Sequence, residues 1–315
     1  MIKYYTSSRR QVRELDHSEP GCWINISPPF SQEEIGEVAA QYEVPLDFLT
    51  DSLDLDERSR YETEDDVRLI VVNTPVENFM EEEIDAYFLT VPIGIILVNG
   101  YLITITAYEN PVLDKFLAQR VKNPDISDHK YFVLQILEQN VLRFLSCLKQ
   151  LNMKRNLIER ELYDSSRNKE LRQLLSIEKS LVYFLNSLSA NELLKLKMKR
   201  SDYLGIRSDE ALTDLFEDII IDNTQASEMA KVYTEILNGT MDAYTSIISN
   251  NLNVVIQRLT LITIVLTVPT LVASLYGMNV DLPFSESPWA FWLVLVFSTI
   301  LSGLLVWYFQ RKRLF

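Results

Sequence analysis

Five hydroxyl side chains carry the most suggestive chemistry in this 315-residue chain. Thr260, Thr263, Thr267, Thr270 and Ser274 are the polar side chains between Arg258 and Tyr276, and their spacing of 3, 4, 3 and 4 puts them on one face of a helix. A hydroxyl oxygen is a neutral acceptor, suited to water and to hydrated cations. Within an apolar helix such a face turns either toward a packed neighbour or toward a watery cavity, and the pattern alone suits both. Upstream, Asn253 and Ile256 extend the same face, and Asp242 lies eleven residues before Asn253, almost three turns away on the same side. Pro269 removes one backbone hydrogen bond in the middle of the segment, which can bend the helix or free a carbonyl.

Other chemistries find no residues here. The two histidines, His17 and His129, and the two cysteines, Cys22 and Cys147, are scattered, so no zinc cluster, Cys/His nucleophile or disulfide framework is expected. None of the eight glycines forms a phosphate-cradling G-x-G-x-x-G or G-x-x-x-x-G-K-[ST] pattern, which argues against a nucleotide site. A net charge of −14 argues against nucleic acid, whose phosphates require basic patches. No residue suggests catalysis.

The hydroxyl face lies inside the first of two apolar runs. From Leu259 to Val280 and from Ser287 to Gln310 no residue is charged, and each run exceeds the ~20 residues a helix needs to span hydrocarbon. Two buried core helices of a soluble protein would be shorter and would rarely lie side by side at a C-terminus. The bases beyond position 250 sit at the outer ends of the pair, Arg258 before it and Arg311, Lys312 and Arg313 after it, while the connection carries Asp281 and Glu286. The positive-inside rule then puts both chain ends in the cytoplasm and the short acidic loop outside. Residues 1–20 are polar and charged and do not read as a signal peptide, so the large N-terminal part is expected to stay in the cytosol. That part, residues 1–250, carries 26 Lys+Arg and 42 Asp+Glu, a balance of −16.

The elements that must position these groups divide into three. Residues 1–125 read as a cytosolic α/β domain, with strands at Cys22–Ile26, Val67–Asn73, Ala86–Val91, Ile93–Val98 and Tyr101–Ala107. Asn99-Gly100 marks a hairpin turn between the last two, and Ser31 with Glu34 marks a capping box for a helix through Tyr42. Residues 126–257 read as a helical region, with helices over 128–165 and 167–200 and a long stalk helix over about 208–276, starting near Ser208 as N-cap. At 1.5 Å per residue that stalk is about 100 Å long, too long for its own neighbours to bury, so parallel copies are expected to share its apolar stripe. Gly239 is its one weak point. Residues 258–315 form a transmembrane hairpin: a first span over 259–279, an outer loop over 280–287, a second span over 288–309 and a basic tail over 310–315.

At the outer end of the hydroxyl face the chain reads Tyr276-Gly277-Met278-Asn279. With the short acidic loop, the second span and the tail Gln310-Arg311-Lys312-Arg313, this resembles the CorA family of divalent-cation channels, whose hallmark is Gly-Met-Asn at the end of the first of two C-terminal membrane helices. The motif agreement is strongest over 242–315, and the first 125 residues agree in layout only. The resemblance implies a homopentameric, funnel-shaped channel in the plasma membrane, with five first spans lining the pore and the second spans around them. Gly277, Met278 and Asn279 would form the entrance filter. Neutral oxygens there suit hydrated Mg²⁺, which sheds water reluctantly. Asp281 and Glu286 would concentrate cations outside, or serve only as a solvated loop. Asn253 matches a polar ring near the cytosolic end, and Ile256 and Leu259 match a hydrophobic constriction. Family members often carry Met at the positions of Ile256 and Thr267, so the gate here differs in stiffness and polarity.

The same resemblance implies regulation. Asp242 matches an acidic ring in the funnel, and Asp218 matches a carboxylate that holds a regulatory Mg²⁺ with an acidic partner from the next subunit, for which Glu77, with Glu81–Glu83 nearby, is the candidate. High internal Mg²⁺ would relieve acidic self-repulsion and hold the pore shut. The expected partners are further copies of the chain, lipid and divalent cations, with no nucleotide or nucleic acid. Two other readings remain. One is Zn²⁺, Co²⁺ or Ni²⁺ transport by the same architecture, including efflux, which soft or imidazole ligands in the membrane region would favour. The other is a membrane-anchored scaffold that transports nothing.

Overall fold

A computed structural model describes residues 1–8, 11–78, 85–164, 168–278 and 288–312. In chain order its elements are β1 (Ile2–Ser8), β2 (Gln11–Leu15), β3 (Trp23–Ile26), α1 (Gln32–Tyr42), α2 (Leu46–Asp51), β4 (Arg60–Glu64), β5 (Val67–Glu77), β6 (Phe88–Val98), β7 (Tyr101–Ile105), α3 (Pro111–Leu117), α4 (His129–Asp164), α5 (Asn168–Ser201), α6 (Glu210–Tyr276) and α7 (Ala290–Arg311). They form two compact units, Met1–Met241 and Asp242–Phe315, with α6 contributing to both.

In the first unit the strands form a sheet of order β2-β1-β3-β7-β6-β5-β4, antiparallel except for the β3–β7 pair. Alternate residues serve opposite faces. Leu69, Val71, Ile96 and Ile103 pack with α1 and α2, whereas Ile70, Val72, Ile95 and Leu102 pack with residues of α3 and α4 and with Phe216 and Ile219 of α6. Burial on both faces explains why β5 and β6 read as continuous apolar runs rather than alternating ones. The capping box at Ser31 forms, with the Glu34 amide donating to Ser31 Oγ at 3.2 Å and the Ser31 amide to Glu34 Oε2 at 2.7 Å. Asn99 and Gly100 take positive φ, 46° and 77°, and Val98 pairs with Tyr101 across this two-residue turn.

The sequence reading needs correction in several places. Ala86–Val91 and Ile93–Val98 are not two strands but one, β6, which passes through Pro92. The tolerance has a geometric cause. Asn73, opposite Pro92, directs its backbone away from β6: its amide donates to Asn191 Oδ1 at 3.1 Å, and its carbonyl accepts from Asn140 Nδ2 at 2.9 Å and Asn191 Nδ2 at 2.8 Å. Pro92 therefore also faces away from β5, on the side where pairing with β7 has already stopped at Gly94. Pro75 is placed likewise, beyond the end of β4 pairing at Val71, and its carbonyl accepts from Arg143 Nε at 3.3 Å. The N-cap of α6 is Asp209 rather than Ser208, since Asp209 Oδ1 accepts from the Leu212 amide at 3.1 Å. β1, β2, β4, α2 and α3 were not read at all. Gly239 does not interrupt α6.

Gly94 is where β6 meets the end of α2. A Cβ there would come within 2.5 Å of Ser52 Cβ and 2.9 Å of Ile105 Cγ2. Ser52 is fully buried and tied to its own helix by a 2.7 Å bond to the Phe48 carbonyl, so it cannot step aside. Gly94→Ala should therefore cost about 1–3 kcal/mol of stability through overpacking, read as a lower unfolding midpoint of the first unit.

A buried lysine joins α5 to α6. Lys195 is fully buried, and its Nζ donates to Asn223 Oδ1 at 2.6 Å, while Asn223 Nδ2 donates to the Leu188 carbonyl at 3.1 Å. Burial pulls the ammonium down to about 7, only partly countered by Glu192 one turn before it. On α4, which packs on the same face of the sheet as α5, burial pushes the Cys147 thiol up to about 11, with Arg143 acting in the opposite sense.

Candidate ion pathway

The second unit consists of α6 from Asp242 and all of α7, and both helices are long and apolar enough to cross a membrane. Between Arg258 and Tyr276 the covered residues of α6 are Leu261, Val265, Val268 and Val272, a stripe at helical spacing with Pro269 at its margin, and on α7 they are Ala290, Val294, Ser298, Ser302, Leu305, Val306 and Phe309. The hydroxyl residues lie elsewhere. Thr260, Thr263, Thr267, Thr270 and Ser274 are all exposed, and at 100° per residue their mean direction is about 150° from the covered stripe. Of the two readings the spacing allowed, packing against the second span of the same chain is thus excluded.

The hydroxyls are also oriented. Thr260, Thr263, Thr267 and Thr270 each donate to the carbonyl four residues earlier, at 2.9, 2.8, 2.7 and 3.1 Å. With the hydrogens directed back onto the helix, the oxygens are left as acceptors, which favours cations and the outward-turned O–H groups of their hydration water over anions. Asp242, Asn253 and Ile256 continue this face and are exposed. Leu259, 64% exposed, stands at its edge.

Pro269 has an effect that the sequence left open. It deprives the Val265 carbonyl of its helical donor, and Ser302 Oγ of α7 donates to that carbonyl at 3.4 Å. Spacing alone does not single out Ser302. The usable signal was a hydroxyl in the second span, which a proline-freed carbonyl in the first span requires.

At its C-terminal end, α6 closes through bonds from the Gly277 amide to the Ala273 and Ser274 carbonyls, 3.0 and 3.2 Å, and from the Met278 amide to the Leu275 carbonyl, 3.3 Å. Met278 is exposed, 54%. Asn279, Asp281, Glu286 and Glu81–Glu83 lie outside the described residues. In the first unit Asp218 and Glu77 are both exposed, on α6 and at the end of β5. Among the described residues no three His, Cys, Asp or Glu side chains converge as a metal site. Among the described residues, Asp218 and Glu77 are thus not joined by a third such ligand within one chain.

The sequence pattern defining the CorA-like Mg²⁺ transporter proteins matches residues 18–312. The chain belongs to this family. The resemblance therefore extends well beyond the C-terminal motif, into the α/β domain where no motif could be quoted. A relative named cobalt/magnesium transport protein CorA, from Methanocaldococcus jannaschii, is 28% identical over 297 residues, covering 92% of this chain and 90% of the relative. Another of the same name, from Thermotoga maritima, is 20% identical over 99% of this chain and 88% of its own. The complete structure of the CorA magnesium transporter from M. jannaschii matches with a TM-score of 0.81 at 26% identity, over 99% of this chain and 98% of that one. The fold is accordingly that of full-length CorA: an N-terminal α/β domain, a long helix and two C-terminal apolar helices.

Proposed function

We propose that this protein is a passive divalent-cation channel for Mg²⁺ uptake, in which several copies of α6 surround a water path with their hydroxyl faces inward. The carrying observation is that face, exposed, turned away from α7 and presenting acceptor oxygens. The names of the relatives support Mg²⁺ and Co²⁺ as cargo. Residues 242–315 contain neither Cys nor His, so nothing there selects for Zn²⁺. Self-association, as a homopentamer in the family pattern, suits α6, whose Ile221, Val232, Ile236 and Leu252 stay 62%, 48%, 41% and 57% exposed in a single chain. Asn279, with Gly277 and Met278, would bind the hydrated ion at the outer mouth, with Asp281 and Glu286 raising its local concentration. Asp242, Asn253, Ile256 and Leu259 would form the inner pathway and constriction. A divalent ion moving down 100 mV gains about 4.6 kcal/mol, twice the single-charge value, so uptake needs no nucleotide. Both termini would be cytoplasmic.

Asp218 and Glu77 of adjacent copies would hold a regulatory Mg²⁺. The cytosolic part carries an excess of 16 acids, and cations bound between subunits lower that repulsion and favour the closed assembly.

Flux into liposomes under an inside-negative potential tests the whole reading. Mg²⁺ uptake is expected, inhibited by internal millimolar Mg²⁺ and competed by external Co²⁺ more than by Zn²⁺. Asn279→Ala should reduce uptake about ten-fold or more, the loss of roughly 1.4 kcal/mol at the filter. Wild-type vesicles no leakier than empty ones would refute transport and leave the scaffold reading.

A further inference from the structure

One contact between α6 and α7 answers a specific chemical defect. Pro269 has no amide hydrogen, so the Val265 carbonyl, one turn earlier, loses its helical donor. Ser302 Oγ supplies a donor to that same carbonyl at 3.4 Å. In hydrocarbon no water can take this role, and a serine from a neighbouring helix is among the few groups that can. Ser298, one turn before it on α7, is committed elsewhere, donating to the Leu295 carbonyl of its own helix at 3.0 Å. The spacing between the helices changes around this point. Toward the cytosolic end Leu261 and Phe309 are buried, 7% and 9% exposed. From Pro269 outward a cavity of 490 Å³ opens among Ala273, Gly277, Ala290, Val294 and Ser298.

We propose that Ser302 is a positioning residue for the ion pathway, its bond to the Val265 carbonyl fixing the direction α6 takes beyond Pro269 and so the placement of Thr270, Ser274 and Gly277. This rests on reading the hydroxyl face as the pathway. A backbone lacking one helical bond is softer at that point, and everything after it swings when the local angle changes. The cavity gives the outer turns room to swing toward α7. Thr260 and Thr263, which precede the proline, stay where they are. The second membrane helix thereby controls the outer half of the first without contributing a side chain to the water path, and the control depends on the proline that creates the need for it.

A double-mutant cycle on the full-length protein tests this. Wild type, Ser302→Ala, Pro269→Ala and the double variant are compared in lipid nanodiscs by amide hydrogen exchange over residues 270–277, and in liposomes by Mg²⁺ flux. Ser302→Ala should speed exchange about three-fold, the size of an interhelical hydrogen bond in a membrane, and lower maximal flux by a similar factor at unchanged half-saturating Mg²⁺. Ser302→Thr should retain wild-type behaviour. With Pro269→Ala the Val265 carbonyl regains an amide donor, so adding Ser302→Ala should then change neither reading. Equal effects of Ser302→Ala in both backgrounds, or unchanged exchange in the single variant, would overturn the proposal. Ser302→Cys, close in volume and a weaker donor, replaces the alanine variant if that one fails to insert. An intact exchange pattern with no flux from the wild type would support the bond and overturn the pathway reading instead.

Discussion

Changing Thr267 and Thr270 together to valine is expected to cut Mg²⁺ flux at least ten-fold while leaving the protein folded and assembled. Valine keeps the branched shape of threonine and removes the oxygen, so a loss reports on the acceptor and not on volume. The helix does not need these hydroxyls. Each only adds a second donor to a carbonyl four residues earlier, at 2.7 and 3.1 Å, an arrangement that slightly weakens helices. What disappears is an acceptor for the ion's hydration water on every copy of α6. A narrow apolar belt there would favour dewetting, which blocks ions without closing the backbone. Ten-fold corresponds to about 1.4 kcal/mol of added barrier, modest for oxygens lost from several chains at once. Thr299→Val is the control: it sits on α7 with the same bond to its own backbone, 2.8 Å to the Leu295 carbonyl, and should leave flux unchanged. Flux unaffected by the double change would mean that the hydroxyl face looks at lipid or at a protein neighbour.

The second large effect lies in the N-terminal unit. Lys195→Met should raise stability by several kcal/mol at pH 7 and abolish a pH dependence that the parent protein carries. The lysine amine is held at about 7 when folded and returns to its ordinary value of 10.5 when unfolded. Between those values the unfolded chain holds a proton that the native one does not, so native stability rises with pH across that window and is flat below it. The gain from methionine is therefore full at pH 7 and shrinks toward zero near pH 10.5. Cys147 acts in the opposite direction at the upper end, since its thiol stays protonated in the fold to about 11 and stability falls once the unfolded thiol ionises from about 9. The difference between the two proteins, followed by thermal unfolding from pH 6 to 10.5, cancels that contribution. A constant difference across the range would show that Lys195 is charged and solvated in the folded state. Methionine fills a similar length but leaves Asn223 Oδ1 without its donor, which reduces the gain without changing its pH profile.

Patterns with a strong period were legible in the sequence. The paired apolar runs, the 3-4 spacing of the hydroxyls and the long helices survived because each is repeated over many turns, and the Ser31–Glu34 and Asn99-Gly100 signals survived because their geometry is local. What failed depended on neighbours. Pro92 looked like a strand break because nothing local shows that its missing amide points at an edge where β7 has ended. Strands β1 and β2 are short and mixed in composition, held by pairing rather than by an apolar pattern. Ser302 is an unremarked hydroxyl until Pro269 is laid against it. Asp218 and Glu77 lie far apart in sequence, on a helix and at the end of a strand, so periodicity could not join them.

The placement of Pro75 and Pro92 has a consequence for how the sheet ends. Beyond Val71 on one side and Gly94 on the other, β5 and β6 each run on past the strand that flanks them. Uncovered main chain of that kind recruits a foreign strand, but here Asn140 and Arg143 of α4 and Asn191 of α5 occupy the Asn73 and Pro75 backbone groups. A ring that cannot form the expected ladder bond sits on each of the two overhangs, so a stray neighbour finds no continuous row of donors to zip along. An added strand therefore finds neither free donors nor room there, and the sheet stays private to its own chain.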